Sequence, residues 1–76
     1  MEQEYSIWRI ESAKALGTAL RDARKQAGLS QTSLAQQLGT TRQLLSRLER
    51  GDVSDQLLLL LRVLDRLHLV LRLEQR

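Results

Sequence analysis

From Ser12 to Leu67 the apolar residues recur at steps of three and four, and glycine interrupts the pattern at intervals. Such spacing puts one apolar stripe on each of several helices. A first helix is predicted from Ala13 to Ala27. Ser12 is its N-cap, Ala13, Leu16, Ala19, Leu20, Ala23 and Ala27 form its core face, and Gly28 stops it. Ser30 opens a second helix that turns Leu34, Ala35 and Leu38 inward and ends at Gly39. A third starts at Thr40 or Thr41, buries Leu45 and Leu48, and ends near Arg50 before Gly51. Ser54 is expected to cap a fourth, running from about Asp55 to Leu67.

The fourth helix carries more apolar residues than one face needs. Leu57, Leu60, Leu61, Leu64 and Leu67 make the core stripe, while Leu59 and Val63 widen it around a second side. Surplus apolar surface of this kind predicts burial against a second subunit. After the helix the period changes to two. Leu67, Leu69, Leu71 and Leu73 alternate with His68, Val70, Arg72 and Glu74, as in a half-buried strand. A lone strand leaves its backbone groups unpaired, and two copies pairing antiparallel across a two-fold axis would satisfy them. A homodimer is therefore expected, with Leu59, Val63, Leu69, Val70, Leu71 and Leu73 as dimerisation residues. Residues 5–10 (Tyr5-Ser-Ile-Trp-Arg-Ile10) alternate loosely and are a second candidate for an extended segment. Trp8 within them is read as a packing residue.

Composition narrows the classes of function. Seventy-six residues make one small domain, a size at which oligomerisation often supplies missing stability. Cysteine is absent, which removes disulfides and thiolate metal sites, and His68 is the single histidine. No metal or other cofactor is expected. No nucleophile–base pair or phosphate-cradling glycine loop is readable, so the chain is not expected to be an enzyme. The opening Glu2-Gln3-Glu4 is unlike the basic start of a secretory leader, and the run Leu57–Leu61 is too short to span a bilayer. A cytoplasmic, nucleoid-associated protein with no membrane partner is expected.

The net charge of +3 is unevenly placed. Arg9, Lys14, Arg21, Arg24, Lys25, Arg42, Arg47 and Arg50 oppose only Glu11, Asp22 and Glu49 between residues 9 and 50, while residues 51–76 balance. The cationic segment is also the one in which Gly28, Gly39 and Gly51 frame two short helices joined by a tight turn. That layout is a helix-turn-helix, whose second helix enters the DNA major groove. Thr41, Arg42 and Gln43 would then reach base edges, with Ser46 and Arg47 one turn later. Arg42 and Arg47 suit guanine, and Gln43 suits adenine. Ser30, Gln31 and Ser33 at the start of the second helix would meet phosphate. Leu44 either packs inward beside Leu48 or touches a thymine methyl, and packing is the favoured reading. Arg24 and Glu49 are expected to form an ion pair between the first and third helices, against the alternative of two unrelated surface charges. The plainer reading of the whole segment is a set of helix caps and a solvated face. A further alternative is an adaptor that packs on protein, whose binding would be insensitive to salt.

Residues 20–51, from Leu-Arg-Asp-Ala-Arg-Lys-Gln-Ala-Gly-Leu-Ser-Gln through Leu48-Glu49-Arg50-Gly51, resemble the Xre/Cro family of helix-turn-helix repressors. The resemblance implies an all-α, lambda-repressor-like helix-turn-helix domain of four helices that binds operator DNA as a dimer. It implies DNA contacts at Gln31, Arg42, Gln43 and Arg47, and an inter-helix ion pair at Arg24 and Glu49. The closing His68-Leu-Val-Leu-Arg-Leu-Glu74 is similar to the C-terminal strand of HipB-type antitoxins, which pairs across the dimer. That likeness implies a HipA-like Ser/Thr kinase toxin as partner, and the alternative is a stand-alone repressor without a toxin. The expected organisation is a single domain over residues 1–76. Residues 1–11 would be an extended arm, 12–67 the helical domain and 68–76 the dimerisation strand.

Overall fold

Three of the four helices begin on a side chain that replaces a missing backbone partner. In the computed structural model, which describes residues 7–75, α1 spans Ala13–Gln26, α2 Gln31–Leu38, α3 Arg42–Glu49 and α4 Leu57–Arg66. The hydroxyl oxygen of Ser12 accepts from the Ala15 N–H, that of Ser30 from Ser33 and that of Thr41 from Leu44, at 3.0, 3.0 and 3.1 Å. Such caps contribute about 1 kcal/mol each, which matters for α2 and α3 because helices of eight residues are unstable alone.

The predicted cap of α4 is a correction. Ser54 donates its hydroxyl to Asp52 Oδ1 and does not reach the helix. Gln56 occupies the N-cap position without a side-chain cap bond, and α4 starts two residues later than expected. Gln56 is itself buried, and its Nε2 donates to the Asp52 carbonyl at 2.8 Å.

The helix ends share one device. In α1 the Leu29 N–H reaches back to the Arg24 carbonyl, and in α2 Thr40 reaches Ala35. In α3 Asp52 reaches Arg47, and in α4 Leu69 reaches Leu64. Each is the six-to-one bond of a Schellman stop, which needs a left-handed residue just before the donor. Gly28, Gly39 and Gly51 fill that place in the first three, and His68, at φ 58°, fills it in the fourth.

The core gathers Leu20 from α1, Leu34, Ala35 and Leu38 from α2, Leu45 and Leu48 from α3, and Leu60, Val63 and Leu64 from α4. Leu16, Leu29, Val53, Leu59, Leu67 and Leu69 close its edges. On α1 the buried positions are Gly17, Ala19, Leu20, Ala23 and Arg24, whereas Ala13 and Ala27, expected in the stripe, are exposed. Gly17 is where α1 touches the end of α3. A Cβ there would lie 2.5 Å from the Glu49 carbonyl oxygen and 2.6 Å from the Gly51 nitrogen. The contact is reciprocal, since a Cβ on Gly51 would meet the Lys14 Cα at 2.8 Å.

The apolar face of α4 is rotated from its expected setting. Val63, assigned to dimerisation, is 1% exposed in the chain's own core, while Leu57, Leu58 and Leu61 stand 64, 77 and 45% exposed. Leu59 and Leu69, assigned likewise, pack against the same core. Leu60, Val63 and Leu64 define the buried face, and two bonds to α2 accompany that setting. The Arg62 guanidinium donates to the Leu38 carbonyl, and Arg66 Nε donates to Gln37 Oε1 at 2.6 Å. No strand forms among the described residues, and Val70, Leu71 and Leu73 are exposed. Residues 7–10, within the expected arm, adopt no regular structure; Tyr5, Ser6 and Arg76 lie outside the described residues. Among the described residues no helix is long and apolar enough to cross a membrane.

Candidate nucleic-acid interface

Between the end of α1, the start of α2 and the outer face of α3 lies an open groove. Arg21, Lys25, Ser30, Gln31, Thr32, Arg42, Ser46 and Arg50 line it, above Arg24 and Glu49. The turn Gly39-Thr40-Thr41 sets α2 against α3, and the buried Leu34, Leu45 and Leu48 lock that crossing. The polar rim is therefore built on a packed scaffold.

The groove floor is a continuous polar chain. Arg24 donates from Nε to Glu49 Oε2 at 2.6 Å and from Nη2 to Oε1 at 3.1 Å, with both side chains less than one-tenth exposed. Its Nη1 donates to the Leu29 carbonyl at 2.6 Å. Gln31 Nε2 donates to Glu49 Oε1 at 3.0 Å, and Gln31 Oε1 accepts from Arg42 at 3.5 Å. The structure thus brings Arg24 and Glu49 together as a bidentate pair, so the single carboxylate beneath the groove is matched by a cation. Such fork geometry is specific to arginine.

Above that floor the charge is unbalanced. Among the described residues no carboxylate lies within ion-pair distance of Arg21, Lys25, Arg42 or Arg50. Arg50 donates to Ser46 Oγ at 2.6 Å, which holds both on the groove side of α3. Gln43 and Thr41 are exposed, and Gln43 has no side-chain hydrogen bond among the described residues. The Ser30 and Thr41 oxygens accept the cap bonds, leaving their O–H protons available to an acceptor outside. The Ser33 N–H is already taken by Ser30.

Of the residues expected to contact DNA, Ser30, Gln31, Arg42 and Ser46 line the groove, whereas Ser33, Thr41, Gln43 and Arg47 do not. Arg47 turns away from the groove. Its Nε and Nη2 each lie 2.9 Å from Asp52 Oδ2, and Nη2 is 3.5 Å from Asp55 Oδ1. The hydrogen bond and charge of Asp52 raise the Arg47 pKa, and the hydrogen bond from Arg47 holds the Asp52 carboxyl below the usual carboxylate range. Leu44, expected to pack inward beside Leu48, is 36% exposed and sits in a shallow cleft with Leu57 and Leu58, off the groove.

Sequence reasoning missed Arg21, Lys25, Thr32 and Arg50. The signal for Arg50 was present, because it follows Arg42 and Ser46 at four-residue steps along one helical face. Arg21 and Lys25 have the same spacing on α1, but only the packing of α1 against α3 reveals what their face looks onto.

A four-helix domain in which two short helices meet at a three-residue turn and a cationic groove runs beside the second of them belongs to the class of DNA-binding helical domains. The helix-turn-helix domain family model matches residues 15–73, and the chain belongs to that family. Comparison with curated proteins gives no match. DNA is the partner that the family supports.

Proposed function

We propose that this chain is a transcriptional repressor that binds a near-palindromic operator as a homodimer. We further propose that it acts as the antitoxin of a HipBA-like pair, with a HipA-like Ser/Thr kinase as the toxin. The observation that carries the DNA reading is the groove itself, where Arg21, Lys25, Arg42 and Arg50 lack carboxylate partners, while Gln43 follows Arg42 at the exposed start of α3. The cations and the Ser30 hydroxyl suit phosphate. Gln43 and Arg42, at the N-terminal end of α3, suit base edges.

The dimer reading draws on unsatisfied surface. Leu57, Leu58 and Leu61 on α4 and Val70, Leu71 and Leu73 in the tail are apolar and exposed in the single chain. A second copy pairing its tail antiparallel would cover apolar side chains and supply backbone partners together. Two half-sites one helical turn (about 34–36 Å) apart would then be read. The antitoxin reading rests on the likeness of the tail to HipB-type strands.

The test is a gel-shift titration on an operator selected from random duplex, at several salt concentrations. Arg42→Ala should weaken binding by about 1–3 kcal/mol and relax the preference at one base pair. Unchanged operator affinity would remove α3 from the role. A pull-down from the host after nuclease digestion addresses the toxin. A stoichiometric kinase-like protein supports the antitoxin reading, and recovery of the protein alone favours a stand-alone repressor.

A further inference from the structure

The two sides of α3 carry opposite charge. On the α2 side, Arg21, Lys25, Arg42 and Arg50 are unmatched. On the other, Arg47 faces two carboxylates, Asp52 and Asp55, and the trio sums to one negative charge. Arg47 sits one turn after Gln43 and would share its solvent face if its side chain were released. Its position is fixed twice. The Asp52 N–H donates to the Arg47 carbonyl at 3.0 Å in the helix stop, and the Asp52 carboxylate takes the Arg47 guanidinium. Ser54 donates to the second Asp52 oxygen at 3.2 Å, steadying the carboxylate in that orientation.

From this geometry we infer that Asp52 and Asp55 withhold Arg47 from phosphate, so that random-sequence duplex is discriminated against. The inference rests on the proposed DNA-binding role. Arg47, expected from the sequence at base edges, stands past the base-reading N-terminal end of α3, where a free guanidinium would add a phosphate contact that carries no sequence information and raises affinity for every duplex alike. Held by two carboxylates, it adds none. Binding then depends on the groove side, where Arg42 stands at the base-reading end of α3.

The experiment compares the wild-type protein, D52N/D55N and D52N/D55N/R47A on the selected operator and on random duplex across a salt series. D55N alone is the control for folding, because the Asp55 side chain is 74% exposed and lies at the outer end of the trio. The double variant is expected to gain several-fold on random duplex and to steepen the salt slope by about one unit. D55N should move the same way by less, and adding R47A should remove the gain. Unchanged random-duplex affinity in both D55N and D52N/D55N would overturn the inference while leaving operator binding intact. A gain that survives R47A would overturn it equally, since the carboxylates would then act only through bulk charge. Absence of salt-dependent duplex binding by the wild-type protein would overturn the DNA-binding reading itself, and the inference with it.

Discussion

Gly17 and His68 show how much a single backbone position decides here. Glycine in mid-helix is usually a defect, and replacing it with alanine gains about 1 kcal/mol in an exposed helix. At Gly17 the added methyl would press on the backbone of residues 49–51, which has no flexible side chain to yield. Gly17→Ala is therefore expected to destabilise by about 1–3 kcal/mol in urea unfolding, against its helix propensity. His68 is the opposite case. It holds a left-handed conformation that costs a residue with a Cβ roughly 1–2 kcal/mol. His68→Gly should stabilise by about 0.5–1 kcal/mol, the gain being reduced by the greater freedom of glycine in the unfolded chain. A loss of stability on that substitution would mean that the imidazole makes a compensating contact.

Among elements, the closure between α3 and α4 has a pH dependence of definite sign. Hydrogen bonding from Arg47 lowers the Asp52 pKa in the folded state. Its contribution is therefore present above the unfolded value and is lost as pH falls through the folded one, in the range below about pH 4. Melting temperature measured from pH 6 down to pH 3 should fall less steeply in D52N than in the wild-type protein. Both groups are well exposed, so the difference should also shrink in high salt. The buried Arg24–Glu49 pair belongs to the same scale and is more costly to disturb. Removing one partner from such a pair costs about 3–5 kcal/mol, because the other charge is left buried. In a domain this small that is enough to threaten folding.

For the whole molecule, the question is what covers the leucines that one chain leaves bare. Truncation after Leu69 retains the helix stop made by His68 and the Leu69 N–H, and removes Val70, Leu71 and Leu73. If the tail strand holds the dimer, this truncation should sediment as a monomer with its helical content unchanged. A fully dimeric truncation would shift the interface to Leu57, Leu58 and Leu61 on α4. Cutting before His68 would confuse the two causes, since it also opens the end of α4 and uncovers the core beside Leu64.

Much of the architecture was legible because its signals are local. Ser12, Ser30 and Thr41 cap helices through bonds spanning three residues, and Gly28, Gly39 and Gly51 stop them within a single turn. Neither device needs a distant partner, so α1 to α3 and the turn that defines the helix-turn-helix follow from the sequence by itself. The pairing of Arg24 with Glu49 was anticipated because two opposite charges lay at the ends of helices already expected to pack. Other features depended on tertiary structure. The rotation of α4, which buries Val63 and bares Leu57 and Leu58, depends on how Leu60, Val63 and Leu64 pack into the shared core. A helix whose apolar stripe is wider than one face can bury leaves open which part of that stripe turns inward. The capture of Arg47 by Asp52 and Asp55, and the meeting of Arg21 and Lys25 with Arg42 and Arg50, depended equally on how the helices pack. A sequence declares which side chains carry charge. Which of those charges stay unmatched is decided only when the packed helices bring partners within reach of some and not of others.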